Sequence, residues 1–462
     1  MAGSYLHKTP SQNPDSQTTW TISFWIKRCK LSSEQWVLTA EHGDTGNNFT
    51  AVYFAANDTL IWREEVSGSD VAALKTNRVF RDISAWYHIV LKWDTTNATA
   101  GDRMQMFING VEEGSAGGYS TDTQPSQNQV SEWQTQEYQA IGIQALSGNA
   151  NHHIDALMTH FHYTDGNAYN ASSFGSTDST TGEWEINTSP SVTYGTAGFF
   201  ILKDAYSGTD QSGNSNNWTG AGTGGTTTQD CASNNFATWN PLVYNPNPPI
   251  FESGNTDIEG QSDSRYPVTI STLAMPKSGK FYAEFKKVDP SNDKEAIGIA
   301  DTEKATEAIR ANTDVYVTGY AGQISVRKDG NYITYGAEAA YFGGGTFGDD
   351  DIFQIAFDGD NGAIYFGKNG TWGNSSDPTS GASKTGAVDI SGLAWYTAAK
   401  DLVFLAGETS SSGYGHFQAN FGNGYFGTTA ISSEGTNASG IGKFEYDVPT
   451  GYTALSTKGL NE

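Results

Sequence analysis

Aromatic side chains carried on loops can stack their faces on pyranose rings while nearby Asn, Asp and Gly groups take the hydroxyls. Trp62, Trp133, Tyr138, Trp372 and Tyr414 are the candidates for that role here. Acidic residues offer a second chemistry, cation binding. Asp358-Gly359-Asp360-Asn361-Gly362 has the composition of a calcium loop. A helix-loop-helix site needs a distant Glu on a following helix, whereas Ala363-Ile364-Tyr365-Phe366 reads as a strand, so a hairpin turn is the plainer account of Asp358 and Asp360. Four of the eight histidines, His152, His153, His160 and His162, fall close together. His160 and His162 share one face of a strand, which suits a Zn or Ni ligand pair or, more simply, a hydrated strand face. Glycoside hydrolysis needs two carboxylates flanking the scissile bond. The nearest string is Asn255-Thr256-Asp257-Ile258-Glu259, whose first position is an amide and cannot act as nucleophile. With no phosphate loop, nucleophile elbow, paired thiols or nucleotide fingerprint, the sequence predicts no catalytic set.

The elements that must position these residues are strands. Trp20, Ile22, Phe24 and Ile26 alternate with Thr19, Thr21, Ser23 and Lys27, the period of a half-buried strand. Trp25 breaks the polar face and predicts partial cover on both sides. Further strands read at 35–40, 49–56, 59–64, 86–93, 104–109, 139–143 and 153–163, with Asn109-Gly110 as a strong hairpin signal. A second series begins near Tyr266, at 280–288, 295–300, 315–319, 323–327, 331–335, 352–357, 363–367, 402–406 and 415–421. Turns fall at Asp329-Gly330, Asp358-Gly359 and Asn369-Gly370. Between the two series, 206–265 is rich in Gly, Ser, Thr, Asn and Pro and reads as a connector. The expected division is a sandwich over 1–205, the connector, a sandwich over 266–435 and a tail over 436–462 that packs on the second sandwich.

Composition agrees. The 462 residues exceed what one core usually holds. Only 37% are apolar yet 13% are aromatic, and glycine numbers 53, a balance of pleated surfaces and many turns. The net charge of −25 argues against nucleic acid or an anionic membrane surface as partner. No run of about 18 apolar residues occurs, so no membrane insertion is expected. Cys29 and Cys231 are read as two buried thiols rather than a disulfide framework. Met1-Ala2-Gly3-Ser4-Tyr5 lacks a basic-then-apolar leader pattern, so folding in a cytoplasm is expected.

Several segments carry a resemblance. Trp20–Ile26, Trp86-Tyr87-His88-Ile89-Val90, Met106–Val111 and Ile154-Asp155-Ala156-Leu157 resemble a laminin-G or concanavalin-like lectin domain, with His153 where such domains carry glycine. Gly279–Phe285, Ile297–Ala300, Gly348–Asp358, Ile364–Trp372 and Phe417–Gly422 resemble an SPRY-type domain. Together these imply an all-β chain of two tandem concanavalin-like jelly-roll sandwiches. The laminin-G likeness also implies a calcium at the sandwich rim, where Asp94 and Asp102 flank a loop. Phe161–Ala168, Ser173-Phe174-Gly175, Gly198–Leu202, Asn216-Asn217-Trp218, Asn234–Pro241 and Val448–Leu455 are similar to a group of large marine bacteriophage proteins. That similarity implies a non-enzymatic structural protein on the outside of a virion, a head decoration or a tail appendage or fibre. It would be homo-oligomeric, would dock on capsid or tail proteins, and would bind host surface polysaccharide. A free carbohydrate-binding lectin-like protein is the alternative, and a glycan hydrolase stands behind both.

Overall fold

The computed structural model describes residues 3–43, 46–203, 206–223, 225–260, 267–288, 295–311, 322–334, 337–343, 345–408 and 415–461. The strand read at 315–319 and Tyr266 lie outside them. Two compact units are present, Met1–Thr227 with Cys231–Ser233, and Thr228–Asp230 with Asn234–Glu462. No described helix is long and apolar enough to cross a membrane.

The strands of unit 1, in chain order, are β1 (Tyr5–Lys8), β2 (Thr19–Arg28), β3 (Gln35–Glu41), β4 (Phe49–Phe54), β5 (Thr59–Val66), β6 (Ser69–Val79), β7 (Tyr87–Asp94), β8 (Met104–Ile108), β9 (Val111–Glu112), β10 (Tyr119–Thr123), β11 (Gln139–Ile141), β12 (Gln144–Leu146), β13 (Asn149–Asn151), β14 (Ala156–Asp165), β15 (Gly175–Thr177), β16 (Trp184–Ile186), β17 (Phe199–Ile201) and β18 (Thr219–Ala221). One sheet runs β10-β6-β5-β4-β3-β11-β1-β18 and the other β17-β14-β2-β7-β8-β9. Neighbours pair antiparallel. Trp20, Ile22, Phe24 and Ile26 are fully buried in the core between the sheets, with Val52, Leu60, Trp62, Leu74 and Trp93. The alternating pattern of β2 is thus satisfied on its apolar side by the second sheet.

The other face of β2 is buried as well. Thr21 accepts the Tyr169 N–H and donates to the Asn167 carbonyl. Val90 and Phe107 pack with Ala171, Phe174, Tyr169 and Trp184. The segment following β14 therefore covers the outer face of the six-stranded sheet, which explains Trp25. The turn Asn109-Gly110 has φ of 47° and 83°, as a tight hairpin requires. A Cβ on Gly110 would lie 2.3 Å from the Trp184 ring, so glycine also makes room for the cover.

Unit 2 is a second pair of sheets. Lys280–Lys287 sits between His416–Asn420 and Ile352–Asp358 in one, and Glu295–Asp301 between Asp401–Glu408 and Gln323–Arg327 in the other. Phe281, Phe285, Ile297, Ile299, Ile355, Phe404 and Trp239 fill the core between them. A helix, Thr302–Ala311, lays Ala305, Ala308 and Ile309 on the outer face of the second sheet against Val403 and Leu405. On the outer face of the first, Phe444, Val448, Tyr452 and Ala454 pack against Tyr282, Ala356 and Tyr365. Thr453–Ala454 pairs parallel to Phe281–Tyr282.

The stretch 206–265 divides between the units. Trp218 is buried in the core of unit 1 and β18 pairs with β1. Trp239 is buried in unit 2, where Ile250–Glu252 and Asp257–Glu259 extend the first sheet.

Candidate functional site

In unit 1 a cavity of about 370 Å³ opens beside the end of β1, lined by His7, Lys8, Thr9, Ser11, Ser215, Asn216, Asn217 and Thr219. Leu6 points into the core, so alternation sends His7 to the opposite face, where it is paired in register with Thr219 of β18. Across the cavity stands the loop from Gly208 to Trp218. Its ends are closed by the Trp218 N–H donating to the Gly208 carbonyl at 2.8 Å. A Cβ on Gly208 would lie 2.0 Å from the Trp218 oxygen, so only glycine permits this approach.

Asp210 organises the loop. Its carboxylate accepts the N–H groups of Phe200, Ser212 and Asn216 and the Ser212 hydroxyl, all at 2.8–2.9 Å. Its own N–H donates to the Asn217 Oδ1 at 2.9 Å. The Asn216 amide donates to the Thr196 and Gly198 carbonyls. Trp218 anchors the far end by stacking on Trp133 at 6.2 Å. Replacing Asp210 with Ala leaves these donors unpaired and should cost about 2 kcal/mol. Calorimetry should show that loss, and amide exchange over 208–218 should accelerate.

The lining is hydroxyl, amide, imidazole and amine, a set that exchanges hydrogen bonds with a polyhydroxylated ligand. Burial pushes the Lys8 ammonium down to about 8, while the Asp210 carboxylate pulls it the other way. His7, besides lining the cavity, stacks on Tyr138 with ring centroids 5.5 Å apart and planes at 20°. Tyr138 is 39% exposed, which leaves aromatic surface for a sugar ring.

None of the five aromatic candidates lines this cavity; Tyr138 is linked to it through His7, on which it stacks. Trp62 and Trp133 are corrected: both are fully buried. Trp62 lies in β5 rather than a loop, 5.6 Å from Trp20 and 6.0 Å from Trp93, and Trp133 packs on Trp218 and Tyr163. Neither offers a face to a ligand. Trp372 belongs to unit 2, half-buried against Tyr282. Tyr414 lies outside the described residues. His7, Lys8, Ser215, Asn216 and Asn217 were not foreseen as site residues.

The acidic candidates do not converge. Among the described residues no group of three His, Cys, Asp or Glu side chains is placed to hold a metal. Asp358 is buried and ion-paired to Lys280 at 2.9 Å, so a lysine supplies the positive charge there, and it also takes the Asn361 amide. Asp360 accepts the Gly279 N–H. Asp94 accepts the Thr96 hydroxyl, and Asp102 lies in a short 3₁₀ turn. At Asp358 the Lys280 ammonium already occupies the place a cation would take.

The histidine reading is also corrected. A bulge between Thr159 and His162 shifts the register, and both His160 and His162 are buried instead of hydrated. His162 stacks on Phe200 at 4.0 Å and meets the Tyr194 hydroxyl through Nδ1. Burial holds its pKa well below the usual imidazole value. In unit 2, Asp257 is held by His416 at 2.7 Å and Gln418 at 2.9 Å. Cys29 is buried and Cys231 half-buried, with no disulfide between them.

Residues 2–140 match the family model described as the concanavalin A-like lectin/glucanases superfamily. The chain is nearly all β, built of mainly antiparallel sheets, and the match to that superfamily lies in unit 1. Similar solved structures include the SPRY domain of human HERC1, at 15% identity over 39% of this chain and 96% of that one, TM-score 0.26. Domains LG4-5 of the mouse laminin alpha1 chain are 10% identical over 96% of this chain and 92% of that one, TM-score 0.28. No curated protein matches the sequence.

Proposed function

We propose that this chain is a non-catalytic glycan-binding protein carried on the outside of a bacteriophage virion. The observation that carries the binding reading is the polar cavity beside β1 together with the half-exposed Tyr138 stacked on His7. The match of residues 2–140 to a superfamily that includes lectins supports the same reading. The virion part rests on the similarity of Phe161–Ala168, Asn234–Pro241 and Val448–Leu455 to phage proteins. On that reading the chain is a homo-oligomer docked on capsid or tail proteins, with the cavity turned to host polysaccharide.

A glycan array probed with the purified chain tests the binding. Tyr138→Ala should weaken the best ligand about tenfold, the worth of one aromatic face. Its stability should change by no more than about 0.5 kcal/mol, because the ring is substantially exposed. Unchanged affinity would remove Tyr138 from the site. Electron microscopy of particles made with and without the gene tests the location. Density lost from head or tail supports the virion role, and identical particles favour a free lectin.

A further inference from the structure

The cavity beside β1 reverses the charge of the chain around it. The sequence carries 51 acidic and 26 basic residues, yet none of the described lining residues bears a carboxylate and one of them is Lys8. Among the described residues Lys8 forms no ion pair within 4 Å, and the apolar contact of its ammonium is the Phe199 ring at 5.9 Å. The acid whose field reaches it, Asp210, already has its carboxylate saturated by four donors that hold the loop. A half-buried cation without a close partner is unfavourable, and its lowered pKa expresses this. A ligand bringing its own negative charge relieves it. The neighbouring amide suits the same chemistry: the Asn217 oxygen accepts the Asp210 N–H, which turns its NH2 into the group available to donate to a ligand. Thr9, Ser11 and Ser215 add hydroxyls that serve as donor or acceptor.

We propose that the cavity selects sugars bearing a carboxylate, with the Lys8 ammonium paired to the ligand carboxylate and the Asn217 amide and the hydroxyls of Thr9, Ser11 and Ser215 holding the ring. The inference rests on the glycan-binding reading and narrows it to acidic glycans. Uronates and sialates share this group.

Titration calorimetry of the full chain at pH 7 distinguishes the cases, using a galacturonate trisaccharide, sialyllactose, and the neutral galactose trisaccharide and lactose as their counterparts. At least one acidic ligand should bind about tenfold or more tighter than its neutral counterpart, and which one does so tells uronate from sialate. Lys8→Met should weaken the acidic ligand about tenfold or more beyond any loss for its neutral counterpart, so that the preference disappears, and Lys8→Arg should retain most of it. In the wild type the preference should fade above pH 8 as Lys8 loses its proton. Equal binding of acidic and neutral sugars overturns the charge selection and leaves the glycan reading intact. A preference that persists in Lys8→Met also overturns it, since the carboxylate is then read elsewhere. Binding of no sugar by the folded wild type defeats the glycan reading itself, and this inference with it.

Discussion

Replacing Glu284 with alanine should detach the C-terminal segment from unit 2 and destabilise that unit by on the order of 4 kcal/mol. The Glu284 carboxyl is fully buried on the outer face of the first sheet of unit 2. One oxygen accepts the Tyr282 hydroxyl and the Tyr446 N–H, and the other accepts the Asn420 amide and the Glu445 N–H. All four contacts are donors, so alanine removes an acceptor from each of them, although the Asn420 amide keeps the Lys443 carbonyl. Glutamine should also be poorly tolerated, because its NH2 must face two of those donors. Denaturation monitored in unit 2 should show the loss. Trypsin should cleave after Lys443 far faster in the variant, because proteolysis follows the population of the open form. Unchanged resistance at Lys443 would show that the apolar contacts of Phe444 and Tyr452 hold the segment without the carboxyl.

Burial pushes Glu284 up to about 7, and its four donors act in the opposite direction. Below pH 4.5 the group is protonated folded and unfolded, and no penalty applies. Between 4.5 and 7 the native state holds the proton more tightly, so its contribution to stability declines as pH rises, by about 3 kcal/mol in all. Glu284→Gln should remove this slope even though its absolute stability is lower.

Acid should loosen unit 1 through His88. This imidazole is fully buried, stacked on Trp25 at 4.8 Å. Trp184 donates its indole N–H to Nδ1 at 2.9 Å, and Nε2 lies 2.8 Å from the Ser23 hydroxyl. Because Nδ1 accepts, the neutral ring carries its proton on Nε2, and a second proton would meet the Trp184 N–H. Burial accordingly pushes the pKa down to about 3. The folded value is depressed, so stability is fully present above pH 6.5 and falls as pH drops toward 3, by about 1.4 kcal/mol per pH unit. His162 shifts in the same direction. Glu64 opposes them: burial raises it to about 8, so its contribution improves as pH falls from 8 to 4.5. The steepest loss is therefore expected below 4.5, where Glu64 no longer compensates. His88→Phe keeps the ring stack, gives up two hydrogen bonds, and should flatten the acid limb of a stability profile. An unchanged acid limb in that variant would exclude His88 as its source.

The strands that form the core of unit 1 were legible because apolar and polar residues alternate along them, Trp20 to Ile26 most clearly. Trp25 even signalled a second layer, which Trp184 and Phe174 provide. β6 was missed because Val71-Ala72-Ala73-Leu74 carries no alternation. The helix Thr302–Ala311 was missed because Ala305, Ala308 and Ile309 make a narrow stripe among polar residues. Trp62 was misplaced for a more particular reason. It shares its inward face with Glu64, which is buried and held by the Thr50 and Ser131 hydroxyls. A carboxylate at an inward position hides the pattern that would have marked Trp62 as core. The cavity was invisible for another reason: it joins the first strand to a loop about two hundred residues later, and proximity of that kind comes from sheet pairing, here β1 with β18. Tyr138 was singled out by its residue type, whereas His7 and Lys8 have no local signature.

The most direct test of the central claim is a crystal structure of the full chain with the oligosaccharide that binds it most tightly. Sugar density is expected between β1 and Ser215–Asn217, with one ring against Tyr138 and a polar group of the ligand within hydrogen-bonding distance of Lys8. Sugar bound at another surface, with this cavity left unfilled at saturating ligand, would contradict the claim.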